Sequence, residues 1–121
     1  MKLLRVMVVE DDAMIAKILS ETAIQPAFNV CAIKATEVDA TAAAFCFQPD
    51  MLIVADGLSQ GNGFSAMETI LSTGLVSHMF VSRDPLLVRV QRPGAVVIQM
   101  PFFVCVIVRA FEIPRTATIT S

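Results

Sequence analysis

Two apolar runs that end in acidic residues constrain the fold of this chain most strongly. Leu3 to Val9 consists mainly of aliphatic and β-branched residues and is followed by Glu10 to Asp12, and Met51 to Ala55 is followed by Asp56. A strand that is apolar along its whole length is typical of a parallel sheet covered on both faces. We expect the carboxyl ends of these strands to gather acidic side chains, which indicates a metal-assisted phosphoryl site.

Segments with helical spacing alternate with the apolar runs along the whole chain. The predicted strands are Leu3 to Val9, Phe28 to Ile33, Met51 to Ala55, Val76 to Val81 and Ala95 to Gln99. Strands that alternate with helices imply right-handed crossovers and a parallel sheet with helices on both faces. The sequence therefore predicts an α/β fold, a flavodoxin-like, doubly wound, five-stranded parallel sheet of the (βα)5 type.

Local signals place the ends of several helices. Asp12 is predicted to cap the first helix, and Thr36 with Asp39 resembles a capping box at the start of the second. The fourth crossover, Arg83 to Gly94, contains two prolines and leaves at most one or two helical turns from Leu86 to Gln91. We therefore expect a shortened or missing fourth helix.

Length and composition limit the architecture and the partners. A chain of 121 residues is the size of one domain, and we expect a domain over residues 1–113 and a C-terminal tail over 114–121. Hydrophobic residues make up 55% of the sequence, which predicts a fully wrapped core or an apolar surface that meets a partner. The net charge is −2, so the sequence does not predict a basic surface for the phosphate backbone, and nucleic acid is not an expected ligand.

Cysteine usage and hydropathy bear on location. Cys31, Cys46 and Cys105 are far apart and each lies in an apolar run, which predicts buried thiols in a reducing compartment. Arg5 interrupts the first apolar run, so no export signal is expected. The longest apolar tract, Ala95 to Val108, is shorter than the roughly 20 residues that cross a bilayer. A cytoplasmic protein with no membrane partner is predicted.

Taken in order, the strand ends resemble those of a known family. They are Glu10 to Asp12, Ala55 to Asp56, Ser82 to Asp84 and Met100 to Phe102. This order resembles the receiver domain of two-component response regulators, over Met1 to about Ile113. In that family an acidic pair binds Mg²⁺ and an Asp after the third strand accepts a phosphoryl group from a histidine kinase. A Ser or Thr after the fourth strand engages the phosphate, and a Lys before a cis-Pro completes the site.

Some positions match the family pattern. The resemblance assigns Mg²⁺ binding to Glu10 and Asp11, the phosphate switch to Ser82 and the cis-proline to Pro101. Ser82 can equally be a small polar residue at a strand end. Mg²⁺ is the one cofactor that the resemblance implies.

Other positions depart from it. Met100 stands where the family has Lys, and a thioether carries no charge and donates no hydrogen bond. Val97 replaces the aromatic residue that reports activation to partners. The phosphoacceptor position falls on Ala55, and the nearest carboxylate, Asp56, is one residue late. The resemblance therefore implies an altered phosphorylation site.

A shift of one residue along a strand reverses the direction of a side chain. Asp56 is accordingly predicted to point away from Glu10 and Asp11 unless the backbone bulges at Gly57. It then either bonds to the glycine-rich turn or forms a displaced site that helps to hold a metal or is inefficiently phosphorylated.

The last predicted helix, Phe102 to Glu112, is apolar on every face at its start. In receivers this helix contributes to the surface for dimers and output contacts, so a homodimer or a protein partner is predicted here. The alternative is a helix tucked beneath the tail. The candidate interface residues are Phe102, Phe103, Val106 and Ile107.

The leading hypothesis is a stand-alone, atypical receiver that acts in two-component phosphorelay signalling through protein contacts. Its expected partner is a histidine kinase, a phosphotransfer protein or another regulator, and it is not an enzyme beyond autophosphorylation at Asp56. The alternative is a working phosphoreceiver that uses Asp56 and Mg²⁺, with binding of Mg²⁺ weakened by Asp56→Asn. The third hypothesis, a flavodoxin-like small-molecule binder, would need Gly57 to Gly63 to cradle a phosphate.

Overall fold

The structure, a computed structural model, describes residues 3–23, 28–74 and 76–99, with the backbone alone at 22 and 23. The strands are β1 (Leu4–Val9), β2 (Phe28–Lys34), β3 (Met51–Ala55), β4 (Ser77–Ser82) and β5 (Val96–Gln99). The helices are α1 (Ala13–Ala23), α2 (Glu37–Phe47), α3 (Gly63–Leu71) and α4 (Pro85–Gln91). The predicted last helix and tail lie outside the described residues, as do the candidate residues Met100, Pro101, Phe102, Phe103, Val106 and Ile107.

The five strands form one parallel sheet in the order β2-β1-β3-β4-β5. The predicted flavodoxin-like fold is therefore confirmed. The chain builds outward from β1 to β2 in one direction and from β3 to β5 in the other, so the order reverses between β1 and β3. Ligands of such sheets bind at the carboxyl ends of the strands beside this reversal.

A pair of reciprocal hydrogen bonds fixes β1 against β3. The Arg5 N–H donates to Asp50 Oδ2 at 2.8 Å, and the Asp50 N–H donates to the Arg5 carbonyl at 2.8 Å. The resulting register places Val9 opposite Val54. Glu10 and Ala55, which follow Val9 and Val54 in the sequence, consequently lie next to each other at the carboxyl ends of the two strands.

The sheet is covered on both faces by separate apolar layers. One layer joins α1 to the residues of one face, including the fully buried Val6, Val8 and Ile53. The other joins α2, α3 and α4 to the opposite face around Phe80, which is 0% exposed. Alternate residues of each strand point to opposite faces, so two-sided burial explains why the strands are apolar throughout.

Helix α2 packs on the sheet through alanines and leaves larger apolar side chains outside. Ala40, Ala43 and Ala44 are buried, whereas Val38 and Phe45 are exposed. The prediction of a buried thiol is wrong for Cys46, which is exposed because it lies about 200° around the helix from Ala44. The Cys31 thiol is half-buried, and Cys105 lies outside the described residues.

The fourth helix is short, as predicted. It spans seven residues from Pro85 to Gln91, with Asp84 as its N-cap and proline in its first turn. Val88 is its buried residue, while Leu86 and Val90 are 71% and 76% exposed. The crossover therefore presents apolar side chains to solvent. None of the described helices is long and apolar enough to span a membrane.

Candidate functional site

A cleft of about 340 Å³ opens at the carboxyl ends of β1, β3 and β4. Its acidic lining residues are Glu10, Asp11, Asp12, Asp56 and Asp84. Arg83 is the basic side chain among the described lining residues. Because carboxylates outnumber cations here, the cleft attracts a cation more readily than a free phosphate.

Glu10 is the most unusual of these carboxylates. It is 5% exposed, its Oε1 accepts a hydrogen bond from the Asp12 N–H at 3.1 Å, and its buried Oε2 has no partner within the described part of the chain. Burial raises the pKa of Glu10 to about 7, the Asp12 N–H offsets part of this rise, and the negative charge of Asp11 adds to it. Near neutral pH this side chain therefore holds a proton or needs a cation.

Asp11 ties two loops together. Its Oδ2 accepts a hydrogen bond of 2.6 Å from the Ser59 N–H, in the loop between β3 and α3. Desolvation raises the pKa of Asp11, but the hydrogen bonds from Ser59 outweigh it and bring that pKa below its ordinary value. Asp11 thus stays ionised beside Glu10.

The carboxylates partly fit a divalent cation. Among the described residues no three His, Cys, Asp or Glu side chains are grouped to hold one metal ion. Mg²⁺, however, is often held through one or two carboxylates, with water or phosphate completing its shell. The unpartnered Glu10 Oε2 and the ionised Asp11 match such a two-carboxylate site. Asp56 does not join them in a three-carboxylate set.

Asp56 is among the residues that line the cleft, but among the described residues its carboxylate forms no metal-binding group with Glu10 and Asp11. Strand β3 ends at Ala55 and the chain bends at Asp56, so strand alternation alone does not set the direction of the Asp56 side chain. Asp56 Oδ2 accepts a hydrogen bond from the Ser82 hydroxyl at 2.8 Å, and Oδ1 accepts one from the Gly57 N–H at 3.0 Å. Both oxygens of the carboxylate that follows β3 therefore accept hydrogen bonds.

Ser82 links the ends of β3 and β4. It is 0% exposed, donates to Asp56 and accepts a hydrogen bond from the Asp84 N–H at 2.9 Å. The structure thus brings Asp56 and Ser82 into contact.

Ala55 occupies the phosphoacceptor position that the resemblance implies. Its side chain is a methyl group, and the residue is 3% exposed. The Cα of Gly63 lies against the Ala55 carbonyl, where a Cβ would overlap the oxygen. Val97, the other altered position within the described residues, packs half-buried against the layer around Phe80.

Several N–H groups of the loop between β3 and α3 are bonded to acceptors of the protein. Gly57 donates to Asp56 Oδ1, Ser59 to Asp11, and Gly63 to the Asp56 carbonyl. At the start of α3, Asn62 Oδ1 accepts hydrogen bonds from the Phe64 and Ser65 N–H groups. N–H groups that are already bonded to the protein are not free to cradle a phosphate, which argues against the flavodoxin-like binder.

Sequence reasoning missed a clamp made by Glu37. Its Oε1 accepts from the Asn62 N–H at 2.8 Å, and its Oε2 accepts from the Ser65 hydroxyl at 2.7 Å. Gly61, at φ +93°, packs against the Glu37 side chain. The position of Glu37 in the sequence could have indicated this contact. Glu37 follows the N-cap Thr36, at the same edge of the sheet as the β3–α3 loop.

Replacing Glu37 by alanine is expected to lower the free energy of unfolding by about 1–2 kcal/mol, because two hydrogen bonds to a carboxylate are lost. Chemical denaturation measures this loss. Glu68→Ala is the matched control, since Glu68 is an exposed glutamate on α3 and its removal is expected to change stability by less than about 0.5 kcal/mol. Equal effects of the two substitutions would contradict the clamp.

The sheet order and the acidic cleft beside the strand reversal define the class of fold. The chain has the fold of response regulator receiver domains. No family model and no curated protein matches its sequence.

Particular solved structures resemble it closely in shape. The receiver domain of PhyR from Erythrobacter litoralis has a TM-score of 0.82 at 21% identity, with 98% of each chain covered. The response regulator PhyR from Brucella abortus has a TM-score of 0.83 at 20% identity over 91% of this chain, which spans 46% of that protein. A chain of the CheX-CheY-BeF3-Mg²⁺ complex from Borrelia burgdorferi matches with a TM-score of 0.80 at 14% identity, and the match covers 90% of this chain and 87% of that chain.

Proposed function

We propose that this chain is a receiver-like module of two-component phosphorelay signalling that acts through protein contacts and is not switched by ordinary aspartate phosphorylation. The observation that carries the proposal is the engagement of both Asp56 carboxylate oxygens, by Ser82 and Gly57, beside an alanine at the family's acceptor position. No catalytic turnover is part of this role.

Phosphoryl transfer makes demands that this cleft meets poorly. The attacking carboxylate oxygen needs an in-line approach to phosphorus, and the charge on the transferring group must be neutralised. Asp56 Oδ2 accepts a hydrogen bond from a buried hydroxyl, and the charged side chains of the described lining are mainly acidic. The methionine at position 100 in place of the family's lysine removes a further positive charge. These features support signalling by contact.

The proposed partners are a histidine kinase, a phosphotransfer protein, another regulator or a second copy of this chain. Exposed apolar side chains on α4, namely Leu86, Leu87 and Val90, support a surface that meets protein. The proposal places these contacts in the cytoplasm.

A second candidate function is phosphoacceptance at Asp56 with Mg²⁺. The unpartnered Glu10 Oε2 beside the same cleft favours it, and a receiver-fold neighbour is described with Mg²⁺ and BeF3. Glu10 and Asp11 would hold the ion, which would supply charge neutralisation. Ser82 would then exchange its hydrogen bond with Asp56 for one with the phosphoryl group.

Incubation with Mg²⁺ and acetyl phosphate, followed by intact-mass measurement, separates the two candidates. We expect no stable phosphoryl adduct on the unaltered chain, because both oxygens of the carboxylate that follows β3 already accept hydrogen bonds. Asp56→Asn is the matched variant, and Asp84→Asn controls for loss of another cleft carboxylate. A hydroxylamine-sensitive adduct that Asp56→Asn abolishes and Asp84→Asn retains would defeat the proposal and support phosphoacceptance.

A further inference from the structure

We propose that Asp56 acts as a built-in anchor that positions the start of α4 through the buried hydroxyl of Ser82. This inference deepens the proposed function, on which its role in signalling rests. It assigns Asp56 the task of setting a surface helix in place without any phosphate.

A continuous chain of hydrogen bonds makes this link. Asp56 Oδ2 accepts from the Ser82 hydroxyl at 2.8 Å, and the Ser82 oxygen accepts from the Asp84 N–H at 2.9 Å. A hydroxyl has one proton, so donation to Asp56 fixes its rotation and leaves its lone pairs for Asp84. Because Ser82 is 0% exposed, water does not replace either partner.

The residue at the end of this chain sets where α4 begins. Asp84 is the N-cap of the helix, and its side chain and its carbonyl both accept from the Leu87 N–H, at 3.3 Å and 3.1 Å. A helix of seven residues has little stability of its own, so its position depends on how its first turn is held. Displacing Asp84 would therefore move or loosen Leu86 and Val90, which α4 presents to solvent.

The position of Asp56 explains why the anchor is available. Ala55, the last residue of the buried strand β3, has only a methyl side chain and cannot bond to the Ser82 hydroxyl. Asp56 lies at the bend that follows the strand, within hydrogen-bond distance of Ser82. The shift by one residue along the chain thus supplies a permanent carboxylate partner for the hydroxyl.

Amide hydrogen exchange of Leu87 to Gln91, without Mg²⁺ or phosphodonor, tests the anchor. Asp56→Ala and Ser82→Ala are each expected to speed exchange there by about fivefold, the effect of losing one net hydrogen bond. The double variant is expected to exchange no faster than either single variant, because both break one chain. Asp56→Asn keeps an acceptor oxygen and is expected to stay within about twofold of the unaltered protein.

Amides of the central strand β3 serve as the internal reference for global stability. Unchanged α4 exchange in both alanine variants would overturn the anchor, as would effects that multiply in the double variant. If Ser82→Ala does not fold, Asp56→Ala and Asp56→Asn still test the anchor, because equal α4 exchange rates in these two variants would overturn it. Phosphorylation of Asp56 by acetyl phosphate would defeat the proposed function and leave the anchor standing, so the two failures are distinguishable.

Discussion

Gly63→Ala is expected to lower the free energy of unfolding by about 3 kcal/mol or more. A Cβ at Gly63 would overlap the Ala55 carbonyl oxygen and would also lie 3.1 Å from Val54 Cγ1. The overlap is with backbone, which cannot rotate away, so α3 must shift relative to β3. The shift would also disturb Asp56, because the Gly63 N–H donates to the Asp56 carbonyl at 3.2 Å. Chemical denaturation measures the loss.

Gly57→Ala is the matched control for this prediction. A Cβ at Gly57 has no neighbour within 4 Å among the described residues. We expect a change of less than about 1 kcal/mol, with a small gain if the alanine restricts the unfolded chain. Similar losses for Gly57→Ala and Gly63→Ala would contradict the close packing of α3 on β3.

The second large effect concerns Glu10 and pH. Its pKa is about 7 in the folded protein against an ordinary value of 4.5, so the folded state binds more protons than the unfolded state between these pH values. The contribution of Glu10 to the free energy of unfolding is therefore fully present below pH 4.5 and is lost as the pH rises through 7. The difference between the two pKa values corresponds to a loss of about 3 kcal/mol in the free energy of unfolding. Solvent screens this effect little, because Glu10 is only 5% exposed.

Comparing the unaltered chain with Glu10→Gln isolates this effect. The glutamine variant carries no titrating group at this position, so its advantage in free energy of unfolding is expected to grow from pH 5 to pH 8 by up to about 3 kcal/mol. Asp12→Asn, a change in an exposed neighbour, controls for loss of one negative charge. A pH-independent difference between Glu10→Gln and the unaltered chain would show that Glu10 is not a destabilised buried carboxylate.

Several features of the fold could be predicted because local interactions determine them. Asp12 and Thr36 were expected to cap helices, and both accept hydrogen bonds from N–H groups of the first turn, those of Met14, Ile15 and Asp39. Pro85 limits the fourth helix, as its fixed φ and missing N–H require.

The candidate site was only partly predictable. Strand ends can be read from sequence, and they place Glu10, Asp11 and Ser82 at one edge of the sheet. The hydrogen bond between Asp56 and Ser82 could not be predicted, because it depends on the bend after β3 and on a hydroxyl from β4 that lies 26 residues away. Cys46 was misjudged because an apolar neighbourhood in sequence does not show which face of α2 is buried.

The sequence by itself determined the alternation of strands and helices, the short fourth helix and the alanine at the family's acceptor position, since each depends on residue type and near neighbours. Only the tertiary structure decided that Asp56 bonds to Ser82, that Glu37 clamps the β3–α3 loop and that Glu10 retains a buried, unpartnered oxygen. These contacts join residues distant in sequence, and their geometry is set by how neighbouring strands and helices pack.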